Sequence, residues 1–341
     1  MSLSAFDLFF LVKELQFLVG AKVDKVYHQE DDLILVLHKG GKHLLKITPS
    51  ALFLTSQKFE PRSPTPLCMF LRKRLSQAKL TTVEQLGFER IVEIVFTKQE
   101  TFHLIIELFS HGNVLLCDKD RTILAALHTQ QWRHRTLKAG ESYQPPPLQK
   151  SPLALKAADL TSFSKSLVKT LATEYSLGGK YAEEVCLHAK VPKEAVKLSD
   201  GEMKRLLRAI KALAAKTPQP GLQGADAVPF KLHSLDAPFV PYVTLSAAIE
   251  HLPAAPKPDT ARLKAETILR KQKEKLAELE QEAGDSRAKG DLIYKNYAYV
   301  QEILDAIKAA REKDFSWDEI AKRLKTRGVH LKNKKVEVEL D

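Results

Sequence analysis

The sequence lacks several features that would assign it to a common functional class. Its 341 residues include three cysteines, Cys68, Cys117 and Cys186, and no Cys-x-x-Cys pair. A structural zinc finger is therefore not expected, and a reducing compartment is. No Walker loop, His-Glu-x-x-His or Gly-x-Ser-x-Gly motif occurs, which leaves NTPase, zinc-protease and serine-hydrolase functions without a starting point. We predict no enzyme activity, no cofactor and no metal.

Long hydrophobic runs are missing as well. No stretch approaches the roughly 18–20 apolar residues that a transmembrane helix needs. The N-terminus has no basic segment, and Asp7 interrupts its apolar run, so it differs from a secretory signal peptide. These absences predict a soluble cytoplasmic protein with no membrane partner.

Basic residues are in excess. Lysine and arginine number 53 against 42 acidic residues, which gives a net charge of +11, and 44% of the residues are hydrophobic. An excess of this size favours an anionic partner such as RNA, DNA or an acidic membrane surface. It is also compatible with an ordinary basic protein. The length allows two or three domains.

Residues 1–150 have the pattern of an α+β domain rich in antiparallel hairpins. Ser4 begins a predicted helix that ends near Leu18, with Asp7 in its first turn. Glycine or acidic turns then separate short runs of alternating or β-branched residues. The predicted strands lie at 22–37 (two strands), 43–47, 91–96, 102–110, 113–117 and 122–127.

A basic helix and the turn that follows it stand out in this domain. From Pro66 onwards the apolar residues recur at helical spacing, and Arg72, Lys73 and Arg74 crowd the polar side. Glu89 and Arg90 then form an acid–guanidinium pair where a turn enters the strand at 91–96. Taken alone, that pair is an ordinary surface ion pair with little energetic value.

Two further segments carry candidate nucleic-acid contacts, each with an alternative. Residues 132–135, Trp-Arg-His-Arg, could stack on and neutralise single-stranded nucleic acid, or could be a buried tryptophan beside a solvated loop. Gly178, Gly179 and Lys180 lie between two predicted helices in 151–220. They fit a helix-hairpin-helix module whose second helix directs backbone amides at a phosphate, although any helical hairpin can turn on glycine.

The remaining segments are predicted to be a return segment and a helical arm. Residues 221–257 combine short strands with a helix near Ser246 and are expected to pack back on the first domain, before a linker at 253–258. Residues 258–341 begin with a long coiled-coil helix from Thr260, which Gly284 and Gly290 weaken or bend. Ser316 and Glu319 predict a capping box, and residues 335–340 a final strand.

Three of these motifs resemble the NFACT family of ribosome quality-control factors. The first is Leu71-Arg72-Lys73 followed by Glu89-Arg90, where the family usually has Asp-Arg. The second is the Gly-Gly-x-Tyr-Ala-Glu-Glu segment that begins at Gly178, and the third is the Gly-x-Leu-Ile-Tyr-x-Asn-Tyr segment at 290–297. The resemblance extends over essentially all 341 residues but covers only the N-terminal half to two thirds of a full-length member. The chain is therefore interpreted as an N-terminal fragment that lacks the C-terminal RNA-binding domain.

The resemblance implies a binding factor rather than an enzyme. Such a factor binds the large ribosomal subunit, including its rRNA and proteins, with stalled peptidyl-tRNA, and recruits aminoacyl-tRNA for untemplated C-terminal tailing. On this interpretation Asp7, Glu89 and Arg90 contact tRNA, although the position of Asp7 is equally explained by helix-start electrostatics. The residues expected to bind RNA phosphates are Arg72, Lys73, Arg74, Gly178, Gly179 and Lys180.

Two other functions have some support in the same sequence. A hairpin domain followed by a phosphate-binding helical module also resembles formamidopyrimidine DNA glycosylases. Their nucleophile is an N-terminal proline amine, whereas Ser2 and Leu3 follow Met1 here, and their zinc-finger cysteines are absent. An extracellular adhesin is suggested only by an older family name.

Overall fold

A computed structural model of the chain describes residues 3–57, 63–132, 135–147, 149–160, 163, 165–252, 260–325, 329–332 and 335–338. The chain divides into two compact units, Met1–Ala255 and Pro256–Asp341. The first unit combines an antiparallel sheet with helices, so the predicted α+β class is confirmed. In the described residues no helix is both long and apolar enough to span a membrane.

Nine antiparallel strands form the central sheet, in the order 4-3-2-1-5-6-7-8-9. Residues 33–37 in one of these strands are all buried, so both faces of the sheet are covered there. The strands are β1 (Lys22–Gln29), β2 (Asp32–His38), β3 (Lys42–Ile47), β4 (Leu52–Thr55), β5 (Lys79–Gln85), β6 (Ile91–Thr97), β7 (Thr101–Glu107), β8 (Asn113–Cys117) and β9 (Ile123–Ala126).

Two of these strands were not predicted from the sequence. In β5 the pairing with β6 shifts between Leu80 and Thr82, so the buried residues Leu80 and Val83 are three positions apart. A bulge of this kind breaks the two-residue alternation by which strands are identified. β4 has only four residues, which is too short for the alternation to be recognised.

In the described part of this unit six α-helices accompany the sheet: α1 (Ala5–Leu15), α2 (Pro66–Leu75), α3 (Leu167–Thr173), α4 (Gly179–Ala189), α5 (Asp200–Ala215) and α6 (Leu245–Glu250). α1 begins as predicted, with a capping box between Ser4 and Asp7. It packs on β5 and β6, and Phe6, Leu8 and Leu11 are fully buried in the main core. The start of α1 therefore has a fixed place in the unit.

One hairpin depends on a glycine. Gly112, between β7 and β8, has φ 68°, and a Cβ atom there would lie 2.4 Å from the Cα of Pro49. Both the positive φ and this close approach exclude a side chain. Glycine is thus required at this turn, which joins two of the predicted strands.

A two-stranded sheet (β10–β11) and a three-stranded sheet (β13–β12–β14) complete the first unit. The strands are β10 (Gln130–Gln131), β11 (Thr136–Leu137), β12 (Gly221–Gln223), β13 (Asp226–Val228) and β14 (Phe239–Pro241). α6 lies against β4 and α1, because the Glu14 carboxylate accepts the backbone N–H groups of Leu245 and Ser246. The segment that follows α5 thus packs against the central sheet.

The second unit consists of α7 (Thr260–Lys295), α8 (Tyr297–Glu312), α9 (Trp317–Lys325), β15 (Val329–Lys332) and β16 (Lys335–Val338). α7 continues through Gly284 and Gly290, and the helical path changes instead at Asn296, with φ −104°. The predicted capping box of Ser316 and Glu319 is confirmed. The predicted linker at 253–258 and residues 339–340 lie outside the described residues.

Candidate nucleic-acid interface

The N-termini of α1 and α4 meet around a buried carboxylate. Ser4 caps α1 through Asp7: its Oγ donates to Asp7 Oδ2 over 2.7 Å and accepts the Asp7 N–H over 3.1 Å. From α4, the Tyr181 hydroxyl donates to Asp7 Oδ1, and Lys180 Nζ lies 3.0 Å from Asp7 Oδ2. We call this group, Ser4, Asp7, Gly178, Lys180 and Tyr181, the helix-end corner.

In the helix-end corner the side chain of Asp7 is surrounded by other residues of the chain. Its side chain is 1% exposed. Burial, followed by the nearby charge of Asp7, raises the pKa of Tyr181 well above its usual value, so the phenol stays protonated and donates to the carboxylate. The acid that was expected to contact tRNA is therefore engaged by three groups of its own chain.

Lys180 is also largely engaged within the protein. Its Nζ lies 3.6 Å from Asp226 Oδ1 and donates to the carbonyl of Ala227 over 3.3 Å, and the side chain is 18% exposed. The recess beside Lys180 and Asp7 has a volume of about 20 Å³, which admits a water molecule and not a nucleotide. A phosphate can approach Lys180 only from its exposed edge.

The α3–α4 turn presents a glycine at the cap of a helix. Gly178 is the N-cap of α4, with φ 75° and ψ 156°, and therefore supplies no capping side chain. A Cβ atom at Gly178 would lie 3.2 Å from the Ser4 Cβ, whereas one at Gly179 would meet nothing within 4 Å. Gly178 thus joins the two helix ends closely, and Gly179 leaves open space before the first amides of α4.

Glu89 ties the β5–β6 turn to this same place. Its Oε1 accepts the backbone N–H of Gln149 over 2.8 Å and the hydroxyl of Ser176 over 3.3 Å. Gln85 donates to the carbonyls of both Ala5 and Glu89, at 2.8 Å each, so the turn is also held to the start of α1. Glu89 is half-buried and is occupied in positioning the turn.

Arg90 follows Glu89 and is half-buried. Its carbonyl accepts the N–H of Leu108 over 2.8 Å, which fixes the backbone where the turn enters β6. The structure therefore places six of the nine predicted residues on adjoining turns: Asp7, Glu89, Arg90, Gly178, Gly179 and Lys180.

The other three predicted residues lie on α2, which packs against β1 and β9. Arg72 donates from Nε to the Val26 carbonyl over 2.8 Å and lies 5.5 Å from the Tyr27 ring. Arg74 lies 3.7 Å from Glu100. Lys73 is exposed.

A groove runs between α2 and β1. It has a volume of about 630 Å³ and is lined by Tyr27, Met69, Arg72 and Lys73 among others. We call it the α2 groove. Its size lies in the range of small-molecule sites, and its lining combines an aromatic ring with three cationic side chains, Lys25, Arg72 and Lys73, and the carboxylate of Asp24.

The cluster at 132–135 is only partly described, because Arg133 and His134 lie outside the described residues. Trp132 is 41% exposed, so the interpretation as a buried tryptophan is wrong. Arg135 forms two hydrogen bonds, of 2.6 and 2.9 Å, with the buried carboxylate of Glu107 and lies 4.6 Å from the Trp132 ring. Arg135 is thus one partner of a buried ion pair with Glu107.

Sequence reasoning missed the partners that hold the helix-end corner together. Tyr181 was part of a recognised motif, but its contact with Asp7 spans 174 positions of chain. No sequence pattern marks Asp226 or Ser176 as a contact residue, since each is a single polar residue in a turn or connector. Contacts of this separation depend on the tertiary fold and not on local pattern.

Comparison with known proteins identifies relatives along the whole chain. The profile of the family described as NFACT N-terminal and middle domains matches residues 4–341. The archaeal Rqc2 homolog aRqcH of Methanocaldococcus jannaschii is 31% identical over 370 aligned positions, which cover 95% of this chain and 54% of that protein. The chain therefore spans about half the length of this relative.

Bacterial and human proteins match over shorter stretches. The Rqc2 homolog RqcH of Streptococcus pneumoniae is 31% identical over 166 residues, 43% of this chain and 30% of that protein. The human ribosome quality control complex subunit NEMF is 34% identical over 115 residues, 32% of this chain and 11% of that protein.

Among solved structures, the N-terminal part of the fibronectin/fibrinogen-binding protein from Streptococcus suis superposes with a TM-score of 0.63. It is 22% identical and covers 73% of this chain and 98% of its own. The fibrinogen-binding protein from Staphylococcus aureus gives a TM-score of 0.64 at 20% identity, over 74% of this chain and 99% of its own. At these identities the likeness shows a shared fold.

Proposed function

The chain belongs to the NFACT family, in its N-terminal and middle domains, and from this premise we propose that it is an RNA-binding factor of ribosome quality control. Its relatives carry that role in their names, as Rqc2 homologs and ribosome quality control complex subunits. In our proposal the chain binds the large ribosomal subunit with stalled peptidyl-tRNA and helps to recruit aminoacyl-tRNA for tailing. It acts by binding and not as an enzyme.

The observation that carries this proposal is the convergence of three turns at the helix-end corner. The start of α1, the β5–β6 turn with Glu89 and Arg90, and the α3–α4 turn with Gly178 are joined there by hydrogen bonds. In this proposal the glycine-capped start of α4 offers backbone amides to an RNA phosphate, with Lys180 in the same helix turn and Arg90 on the turn that Glu89 joins to Ser176. The DNA glycosylase alternative gains nothing from the family membership.

Within this proposal the predicted residues have different roles. Asp7 is a positioning residue: it holds Lys180 and, through Tyr181, the first turn of α4. Glu89 positions the turn that carries Arg90. Arg90, Lys180 and the amides that follow Gly178 are the groups that meet RNA, with Gly179 giving the backbone room to approach it.

The α2 groove supplies a second contact in this proposal. Lys73 is exposed there, while Arg72 is fixed by Val26 and Tyr27. An aromatic ring with a guanidinium beside it is a surface on which an unstacked base can lie. We propose that Lys73 and Arg72 meet the RNA backbone and that Arg74, paired with Glu100, supports the helix.

We also propose finer roles for the other segments. α3, the Gly178–Gly179 turn and α4 act as a helix-hairpin-helix module within residues 151–220. Residues 221–257 brace it against residues 1–150, and residues 258–341 form an arm. The exposed apolar residues Ile268, Leu276, Leu279, Ile293 and Leu304 give that arm a surface for coiled-coil pairing.

Sedimentation of the chain with split large ribosomal subunits, over a series of salt concentrations, tests the proposal. Binding through phosphates is expected to weaken steeply as salt rises. Arg90→Ala should reduce co-sedimentation and the shift of total tRNA in a gel. Lys119→Ala removes a charge from the exposed β8–β9 turn and is the matched control. If Arg90→Ala and Lys119→Ala bind equally tightly, the proposed contact of Arg90 with RNA is refuted.

A further inference from the structure

Three metal-ligating side chains come together on the far part of α4. Glu184 and His188 are four residues apart and so lie on one face of that helix. His233 comes from the loop between β13 and β14. Glu184 Oε1 lies 2.9 Å from His188 Nε2 and 3.2 Å from His233 Nδ1, and all three atoms are within 4.8 Å of one another.

We infer that Glu184, His188 and His233 form a binding site for a divalent transition metal ion, with Zn²⁺ as the preferred occupant. This inference does not depend on the proposed role in RNA binding.

The distances between the ligand atoms suit this ion. Zn²⁺ bonds to nitrogen and carboxylate oxygen are about 2.0–2.2 Å long, so neighbouring ligands in a tetrahedron lie about 3.3 Å apart. The two separations that involve Glu184 Oε1 fall just below that value. A set of two imidazoles and one carboxylate also favours Zn²⁺ over Ca²⁺ and Mg²⁺.

The carboxylate is held in place before any ion arrives. Glu184 is fully buried, and its second oxygen, Oε2, accepts the backbone N–H of Ser234 over 2.7 Å. That bond leaves Oε1 directed at the two histidines, as a one-oxygen ligand. Outer hydrogen bonds of this kind orient metal ligands in known sites.

The loop that carries His233 is fixed as well. Gln223 is fully buried; its side chain donates to the carbonyls of Leu232 and Leu235 and accepts the N–H of Leu232. The residue next to His233 therefore has a set backbone position. The third ligand is presented on a constrained loop.

The site is open to solvent on one side. The side chains of His188 and His233 are 45% and 56% exposed. An ion can reach the three ligands, and a water molecule can take the fourth position. Occupancy would connect α4 to the 232–237 loop through a metal bridge. The ion is thus expected to stabilise the first unit.

Calorimetric titration of the whole chain with ZnCl₂ at neutral pH tests the inference. We expect one tight site per chain and an unfolding temperature that rises with zinc. His188→Ala and His233→Ala should each weaken that site by at least about tenfold, which is a typical effect of disturbing a metal's coordination. Both side chains are partly exposed, so the variants should fold.

The control is His38→Ala, which removes an exposed histidine at the end of β2. It should leave the tight site unchanged. Co²⁺ in place of zinc should give visible bands of tetrahedral coordination that His233→Ala abolishes. The inference is overturned if wild-type chain binds no zinc more tightly than the His188→Ala/His233→Ala double variant, or if His38→Ala weakens binding equally.

Discussion

The helix-end corner and the α2 groove hold basic side chains in opposite ways. In the corner, Lys180 is 18% exposed and faces the carboxylates of Asp7 and Asp226. In the groove, Lys73 is exposed, and its neighbour Arg72 bonds only partly inward, through Nε. The corner uses its charge mainly to fix two helix ends, whereas the groove keeps charge available to a partner.

Because of this difference, substitutions in the two regions should affect different properties of the protein. A buried ion pair costs much desolvation, and breaking one half of it leaves the other charge without compensation. An exposed cation contributes little to folding but attracts phosphates over a distance set by salt. Substitutions in the corner should therefore act first on folding, and those in the groove first on RNA affinity.

Asp7→Ala should have the largest effect on stability. It leaves Lys180 and the Tyr181 hydroxyl without their shared partner and removes the Ser4 capping box, so we expect a loss of about 3–5 kcal/mol. Chemical denaturation measures this value. Asp7→Asn keeps the shape and one acceptor oxygen, and should recover part of the loss. A loss below about 1 kcal/mol for Asp7→Ala would show that the corner is not a coupled network.

Tyr181→Phe should have the next largest effect. We expect a loss of stability of about 1.5–3 kcal/mol near neutral pH, because a hydrogen bond to a charged group is removed. The folded state raises the pKa of Tyr181 above its usual value near 10. The unfolded phenol therefore ionises first as pH rises past 10, which lowers the stability of the wild-type chain. The variant has no phenol at this position, so its stability does not fall for this reason.

The stability gap between wild type and Tyr181→Phe should accordingly narrow above pH 10, which denaturation at a series of pH values measures. Tyr294→Phe removes a hydroxyl from a side chain that is 82% exposed and is the control. A gap that stays constant with pH would contradict the buried environment assigned to Tyr181.

Gly178→Ala should cost about 1–3 kcal/mol, because φ 75° with ψ 156° is a region that essentially only glycine adopts. Its Cβ would also press on the Ser4 Cβ at 3.2 Å. Gly179→Ala is the matched control in the next position, where a Cβ meets nothing within 4 Å, and should change stability little. Equal effects of the two substitutions on thermal unfolding would refute the close approach of α1 and α4.

Local interactions in this chain were predictable, and those that cross the fold were not. Ser4 with Asp7, and Ser316 with Glu319, are three residues apart, so a capping box can be identified from the sequence alone. The α+β class followed in the same way, from short alternating runs. The bulge at Leu80 hid β5 because it broke that alternation.

The candidate site shows the same limit. The Gly178–Lys180 motif and the Glu89–Arg90 pair were identified, but not that Ser176 and Glu89 meet, since 87 positions separate them. The burial of Asp7 was also missed. An acid in the first turn of a helix is usually a surface feature, and here α4 covers it. That His233 would meet Glu184 was not predicted either, since 49 positions separate them.

Lys73→Ala should have the smallest effect on folding and a selective effect on binding. The side chain is exposed, so stability should stay within about 0.5 kcal/mol of wild type. If Lys73 meets a phosphate, the variant should bind tRNA more weakly, and the slope of log affinity against log salt should fall by about 1.

Its adjacent counterpart, Arg72→Ala, removes a hydrogen bond to Val26 and should cost about 1 kcal/mol of stability in addition to affinity. Filter binding over a salt series, beside denaturation of both variants, separates the two effects. If Lys73→Ala leaves both affinity and salt slope unchanged, the α2 groove presents its charge to solvent alone, and RNA contact rests with the helix-end corner.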